Sequence, residues 1–184
     1  MPAGYQSTII GAQGDGPALT LVAAASILPG QAKITLPANF IDVVGKKIRL
    51  RAHGRISNIV TTPGTLTFSV RFGSIIVAQS AAWQLNAVAK ANVAWHLDLL
   101  LTARSIGSGV LATLMAQGVW ESESIVGSPL PAAGSAGQLA WQPSAPVVGT
   151  GFDSTVANVI DLFGIFSLTG NSLTLHDYLL ESLN

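Results

Sequence analysis

Alternation of side-chain polarity between Lys46 and Ser57 constrains the fold of this chain more than any other feature. One series of alternate positions is apolar or small: Ile48, Leu50, Ala52, Gly54 and Ile56. The other series is cationic: Lys47, Arg49, Arg51, His53 and Arg55. A period of two is typical of a β-strand with one buried face, because successive side chains point to opposite sides. The segment therefore predicts a half-buried strand whose outer face carries a row of cations.

Two further segments alternate in the same way and predict which residues face the core. The first apolar series is Leu66, Phe68, Val70 and Phe72. The second is Trp95, Leu97, Leu99 and Leu101, opposite His96, Asp98, Leu100, Thr102 and Arg104. Leu100 interrupts the polar series, which indicates that the outer face of this strand is partly covered.

Strand patterns recur along the chain, and almost no segment has the period of a helix. Turns that contain glycine or proline separate these strands, as in antiparallel sheets. A chain of 184 residues can build one sandwich with a full core. The sequence therefore predicts an all-β fold, a single-domain antiparallel β-sandwich of jelly-roll type over residues 1–184, with an N-terminal arm at 1–17. The predicted strands are Ser7–Ile10, Leu19–Ala25, Lys33–Leu36, Lys46–Ser57, Leu66–Phe72, Ser74–Gln79, Val88–Leu101, Val110–Glu121, Val159–Ser167 and Ser172–Leu180.

Residues 122–151 are rich in glycine and proline, with nine such residues in total. This density argues against a helix or a central strand, because proline lacks a backbone donor and glycine weakens a strand interior. We expect a long ordered surface loop that forms a contact surface, and a floppy insertion is the alternative. Leu139 and Trp141 could form a short strand or an anchor within it.

The composition indicates that the surface is poor in charge or that something covers much of it. Only 10 % of the residues are charged and 49 % are hydrophobic, whereas about 25 % charged is usual in soluble domains. A membrane does not fit, because the most apolar segment, 91–103, contains His96 and Asp98 and is too short to span. The N-terminus lacks the pattern of a secretory signal, and the chain has no cysteine. Self-association or docking on another protein is the remaining explanation.

Charge is unevenly distributed along the chain although the formal net charge is zero. Residues 43–97 contain seven Lys or Arg and no acid, and residues 105–184 contain six acids and no Lys or Arg. We expect the cationic strand to lie beside acidic C-terminal strands, within a subunit or across a subunit boundary. Zero net charge and the absence of aromatic residues among the cations argue against contact with nucleic acid.

The C-terminal run also predicts an intersubunit contact. By strand parity, Leu173, Leu175 and Leu179 form one row, and Tyr178 and Leu180 lie on the opposite face, so one row would serve the core and the other a neighbour. The candidate interface residues are Lys47, Arg49, Arg51, Arg55, Asp161, Asp177, Tyr178, Leu180 and Glu181.

No motif in the sequence predicts catalysis, a metal or a cofactor. His96 and Asp98 share a strand face, but the chain lacks the G-x-S-x-G turn that would present a nucleophilic serine. The three histidines, His53, His96 and His176, are about 43 and 80 residues apart and show no metal-binding spacing. We therefore expect a protein that is not an enzyme.

Several segments resemble virion-associated β-sandwich proteins of tailed bacteriophages and prophages. The resemblance covers roughly residues 34–184. It rests on the order of several short sequence segments and on the strand patterns within them. Its main segments are TTPGTLTFSVRFGS, NVAWHLDLLLTARSIGSG, LMAQGVWESE and NVIDLFGIFSLTGNSLTLHDYLLESLN.

This resemblance implies a structural component of the virion, made in the host cytoplasm. It would be a capsid decoration (cement) protein or a head-fibre or tail-associated component that binds other virion proteins. By analogy with such proteins, the expected closed homo-oligomer is a homotrimer. The alternative is a carbohydrate-binding jelly-roll module of a phage fibre or tail, with Trp141 as the glycan contact, since Trp95 belongs to an apolar row.

Overall fold

The computed structural model describes residues 6–12, 14–125 and 137–183 of the chain. These residues form twelve β-strands and one short 3-10 helix, Gly30–Ala32, and they include no α-helix. No helix in these ranges is long and apolar enough to cross a membrane. The strands are β1 (Ser7–Gly11), β2 (Ala25–Ser26), β3 (Ile34–Leu36), β4 (Lys47–Asn58), β5 (Thr65–Phe72), β6 (Ile75–Gln79), β7 (Trp83–Gln84), β8 (Lys90–Ser105), β9 (Thr113–Ser122), β10 (Gln138–Ala140), β11 (Asn158–Phe166) and β12 (Ser172–Ser182).

The strands form two antiparallel sheets that pack face to face. Sheet A has the order β1-β12-β4-β8-β9-β10, and sheet B has the order β2-β11-β5-β6. In addition, β3 pairs with β11 and β7 pairs with β5. The order β1-β12-β4-β8 opposite β2-β11-β5-β6 is the jelly-roll arrangement, which β9 and β10 extend. The predicted all-β sandwich is confirmed.

The predicted alternation in β4 and β8 sets the two faces of sheet A. Ile48, Leu50, Ala52 and Ile56 are buried, as is the apolar series of β8, which consists of Trp95, Leu97, Leu99 and Leu101. The cationic series of β4 and the polar series of β8 point away from the core. The two strands lie side by side, so their polar series form one continuous outer surface.

Aromatic side chains fill the centre of the sandwich. Phe68 of β5 lies 5.7–5.8 Å from the rings of Trp83, Trp95 and Trp120, measured between ring centroids. Trp83 and Trp120 stack at 4.9 Å, and Trp141 contacts Trp83 edge to face. Such contacts are favourable beyond the area that they bury, so this cluster joins the two sheets.

The predicted parity of the C-terminal strand is wrong because β12 contains a β-bulge. The register shifts between Leu175 and Asp177, and the inserted residue reverses the side to which the following residues point. Leu173, Leu175, Tyr178 and Leu180 are therefore all fully buried in the core. Leu179, which parity assigns to the same row as Leu173 and Leu175, lies on the outer face opposite Arg51.

The predicted strand Leu19–Ala25 is largely absent. Leu19 makes a single bridge to Leu173, and the next regular pairing is that of β2. Leu21 and Val22 between them are exposed, at 60 % and 49 %. The chain passes from the edge of sheet A to sheet B here, which interrupts strand pairing although the residues are apolar.

The described part of the glycine- and proline-rich segment, residues 137–151, is tied to both sheets. Its strand β10 pairs with the edge of β9. The Trp141 amide donates to the Gly118 carbonyl, and the Thr150 amide donates to the Ile76 carbonyl of β6. The segment therefore closes the sandwich between β9 and β6. Residues 126–136 of the predicted loop, and 1–5 of the predicted arm, lie outside the described residues.

Candidate functional site

The outer face of sheet A carries a charged network centred on Asp98. The Arg49 guanidinium donates to both carboxylate oxygens, with Nε 2.9 Å from Oδ1 and Nη2 bonded to Oδ2. Arg51 Nε lies 3.7 Å from Asp98 Oδ2. The hydrogen bond from Arg49 is the main reason that the pKa of Asp98 is lowered and that of Arg49 is raised. The network fixes the arginine side chains against the sheet.

A row of four titratable side chains crosses the same face beside the Asp98 network, two residues along β8 from Asp98. We call it the histidine rung; its members, on β12, β4, β8 and β9, are Asp177, His53, His96 and Glu121. The two imidazole rings meet edge to face with their centroids 4.5 Å apart. His53 Nδ1 lies 3.4 Å from Asp177 Oδ2. His96 Nδ1 lies 3.6 Å from Glu121 Oε2, so each imidazole has its own carboxylate.

Two shallow depressions lie on this face. The first, of about 460 Å³, lies over the histidine rung beside the small side chain of Ala94. Glu121 borders it and accepts a hydrogen bond at 2.6 Å from Gln138 Nε2 of β10. The second, of about 410 Å³, is lined by residues that include Arg49, Asp98 and Gln117. Both depressions offer hydrogen-bond donors and acceptors to an external ligand.

The structure distributes the predicted acidic partners over different places. Asp177 faces the cationic strand, opposite His53. Glu181 is paired in register with Arg49, but it is only 6 % exposed and accepts a hydrogen bond from Gln6 Nε2. The assignment of Asp161 to this surface is wrong, because it lies in sheet B, 3.1 Å from Lys33 Nζ. Sequence analysis did not identify the main partner of the arginines, Asp98.

Other predicted contact residues are buried inside the chain. Tyr178 and Leu180 are 0 % exposed because of the bulge in β12, so they cannot contact a neighbouring subunit in this fold. Trp141 is 1 % exposed, so its predicted role as a glycan contact is wrong. It instead anchors the loop in the aromatic core. Lys47 and Arg55 are exposed at the two ends of β4, as the alternation predicts.

Tryptophan, tyrosine and phenylalanine rings are not freely presented on the surface of the described part of the chain. All four tryptophans of the sequence are at most 3 % exposed. Two half-buried phenylalanines are each covered by a cation: Lys46 lies over Phe40 and Arg71 lies over Phe163. The described surface therefore lacks an open stacking platform for a sugar ring.

Six of the fourteen large apolar side chains that are exposed in the described part of the chain lie on adjoining loops at one end of the sandwich. Three loops meet there: the Asn39 amide donates to the Ser154 carbonyl, and the Ser154 amide donates to the Gly107 carbonyl. Val110 and Leu111 are the most exposed residues of this set, at 72 % and 64 %. We call this surface the apolar loop end; it consists of Val43, Val44, Ile106, Val110, Leu111 and Val156.

Comparisons with known proteins give one similar structure and no family assignment. No family description matches it, and no curated protein is significantly similar. Among solved structures, the chain is similar to the CBM2 module of the evolved Dit protein of Lactobacillus casei BL23 phage J-1. The two share 10 % sequence identity with a TM-score of 0.37, over 98 % of this chain and 97 % of that chain. At this TM-score the likeness transfers no function.

Proposed function

We propose that this chain is a non-enzymatic structural component of a bacteriophage virion that associates with copies of itself and docks on the particle. The observation that carries the proposal is the apolar loop end. Exposed apolar residues that cluster on adjoining loops mark a protein contact more often than a free surface. The resemblance of residues 34–184 to phage virion proteins supplies the biological setting.

The outer face of sheet A is the proposed docking surface for another virion component. Its charges alternate in sign, because Asp98 lies between Arg49 and Arg51 and the histidine rung ends in a carboxylate on each side. A pattern of both signs favours specific recognition in one orientation. This mixture of charges is less suited to binding nucleic acid, because a surface that binds nucleic acid is expected to be positively charged.

Co-sedimentation with phage particles tests the docking surface. Reversing the exposed cations Lys47 and Arg55 to Glu should weaken binding of the purified protein to particles, because complementary charges on the partner would then meet like charges. A control for the added negative charge is Thr35→Glu, which places a carboxylate on β3 at the edge of sheet B and should leave binding unchanged. Equal binding by the wild type, the double variant and the control would show that the outer face of sheet A does not contact the particle.

A carbohydrate-binding module of a phage fibre or tail is the second candidate. The two depressions on the outer face of sheet A favour it, since Arg, Asp, His, Glu and Gln side chains can bond to sugar hydroxyls. The burial of Trp141 and of the other tryptophans weighs against it. A glycan-array signal that is lost on Gln117→Ala would support this candidate, and particle binding without any glycan signal would support the structural role.

A further inference from the structure

The geometry points to a binding site for a divalent transition-metal ion, such as Zn²⁺, between His53 and His96 on the outer face of sheet A. The two residues are separated by about 43 positions in the sequence, so their spacing gives no sign of a site. The pairing of β4 with β8 places them directly opposite each other. Imidazole nitrogen is a preferred ligand of Zn²⁺, Ni²⁺ and Cu²⁺.

A carboxylate lies beside one nitrogen of each ring, as it does beside many metal-binding histidines. In such sites one ring nitrogen binds the metal, and the other usually faces a carboxylate or a carbonyl that orients the ring. Here the Nδ1 atoms of His53 and His96 face Asp177 and Glu121, at 3.4 and 3.6 Å. Both Nε2 atoms are then left to bind the ion.

The Nε2 atom of His96 supplies independent evidence. It is shielded from solvent and has no hydrogen-bond partner among the described residues. A buried polar atom without a partner is unfavourable, and a ligand that bonds to it removes that cost. The depression of about 460 Å³ over both rings has room for a hydrated ion. Because His96 Nε2 is shielded in its present position, the two side chains must rotate toward the depression before both nitrogens can lie at the usual Zn–N distance of about 2.0–2.1 Å.

The charges around the two rings are compatible with a divalent cation. Asp177 on β12 and Glu121 on β9 each add a negative charge beside the site. Of the cations on β4, Arg51 Nε lies 3.7 Å from Asp98 Oδ2, and Arg55 is exposed. Among the described residues, no group of three or more His, Cys, Asp or Glu is arranged to hold a metal. The two imidazoles are then the only protein ligands that the described residues offer, and water would have to complete the coordination of a bound ion.

Titration of the tag-free protein with ZnCl₂ in a calorimeter tests the site. The wild type should bind one ion per chain, and His53→Gln and His96→Gln should each weaken binding at least tenfold. Binding should also weaken on acidification, because metal and proton compete for imidazole. The matched control is His176→Gln, since His176 Nδ1 has its own carboxylate, Asp15, at 2.7 Å but no second histidine beside it. This variant should bind as the wild type does.

Nuclear magnetic resonance of the imidazole nitrogens provides a second readout that does not depend on variants. Zn²⁺ should shift the Nε2 resonances of His53 and His96 and leave those of His176 unchanged. Unchanged Zn²⁺ affinity in the double variant His53→Gln/His96→Gln would overturn the assignment. A shift confined to His176, or the absence of any saturable binding to the wild type, would overturn it as well.

Discussion

At the scale of single residues, Asp98 organises the outer face of sheet A. The alternation in β4 and β8 predicts that Arg49, Arg51 and Asp98 all point outward, and they do. It does not predict that they pair, because cross-strand neighbours depend on a register that local sequence does not set. Arg49 and Asp98 are 49 positions apart and meet only once β4 and β8 have paired. Asp98, the nearest acid, therefore lies outside the acidic C-terminal region in which partners for the cations are expected.

Replacing Asp98 with Asn should lower the free energy of unfolding by about 1 kcal/mol or less at pH 7. The bidentate bond to Arg49 is lost. Both side chains are partly exposed, at 34 % for Arg49 and 25 % for Asp98, which limits the contribution of the ion pair to the free energy of unfolding. Urea unfolding measures the change. The matched control is Asp42→Asn, since Asp42 is 59 % exposed and pairs with Lys46 within a loop; this change should have a smaller effect.

The same variant should reveal a pH dependence. Because the pKa of Asp98 is lowered in the folded state, chiefly by the bond from Arg49, its carboxylate stabilises the fold at all pH values above the unfolded-state pKa of about 3.9. This contribution is lost as the pH falls through the lower folded-state pKa. The difference between wild type and Asp98→Asn should therefore shrink below about pH 4. A difference as large at pH 2 as at pH 7 would contradict this explanation.

At the scale of elements, β12 shows how one inserted residue changes the role of a strand. Period-two counting assigns Leu179 to the row of Leu173 and Leu175, and Leu180 to the opposite row. The bulge near His176 reverses this, and such a bulge leaves no mark in the hydrophobic pattern beyond a loss of phase. The long strands β4 and β8, which keep their phase over their apolar stretches, could be predicted face by face.

Two alanine substitutions in β12 test the bulge directly. Leu180→Ala should lower the free energy of unfolding by about 2–5 kcal/mol, because a fully buried leucine leaves a cavity. Leu179→Ala, one position earlier and half-buried on the outer face, should cost about 1 kcal/mol or less. Denaturant unfolding of both variants gives the comparison. A larger loss of stability in Leu179→Ala than in Leu180→Ala would indicate uninterrupted alternation along β12 and would exclude the bulge.

At the scale of the whole molecule, the sequence predicts the sandwich well and its exposed surfaces poorly. Alternating strands separated by turns are enough to predict two packed sheets. The apolar loop end could not be predicted, because the sequence pattern places Val110 and Leu111 in the strand Val110–Glu121, whereas β9 begins at Thr113 and Val110 is 72 % exposed. Only the folded chain shows that three such loops adjoin.

The apolar loop end should hold copies of the chain together, with a trimer as the proposed state. Light scattering on the purified protein should give a multiple of 18.9 kDa. Val110→Asp/Leu111→Asp should shift the mass toward that of one chain without unfolding it, since both residues are exposed. The matched control is Val60→Asp/Val88→Asp, outside the apolar loop end and similarly exposed at 61 % and 62 %. A wild-type mass near 18.9 kDa at micromolar concentration would contradict the proposed oligomer.

Electron microscopy of phage particles, with the protein marked by a specific antibody and gold, tests the proposed virion role most directly. The proposal predicts gold at regular positions on purified particles, because a structural component remains bound after assembly. Particles without label, from lysates in which the protein is abundant, would contradict it.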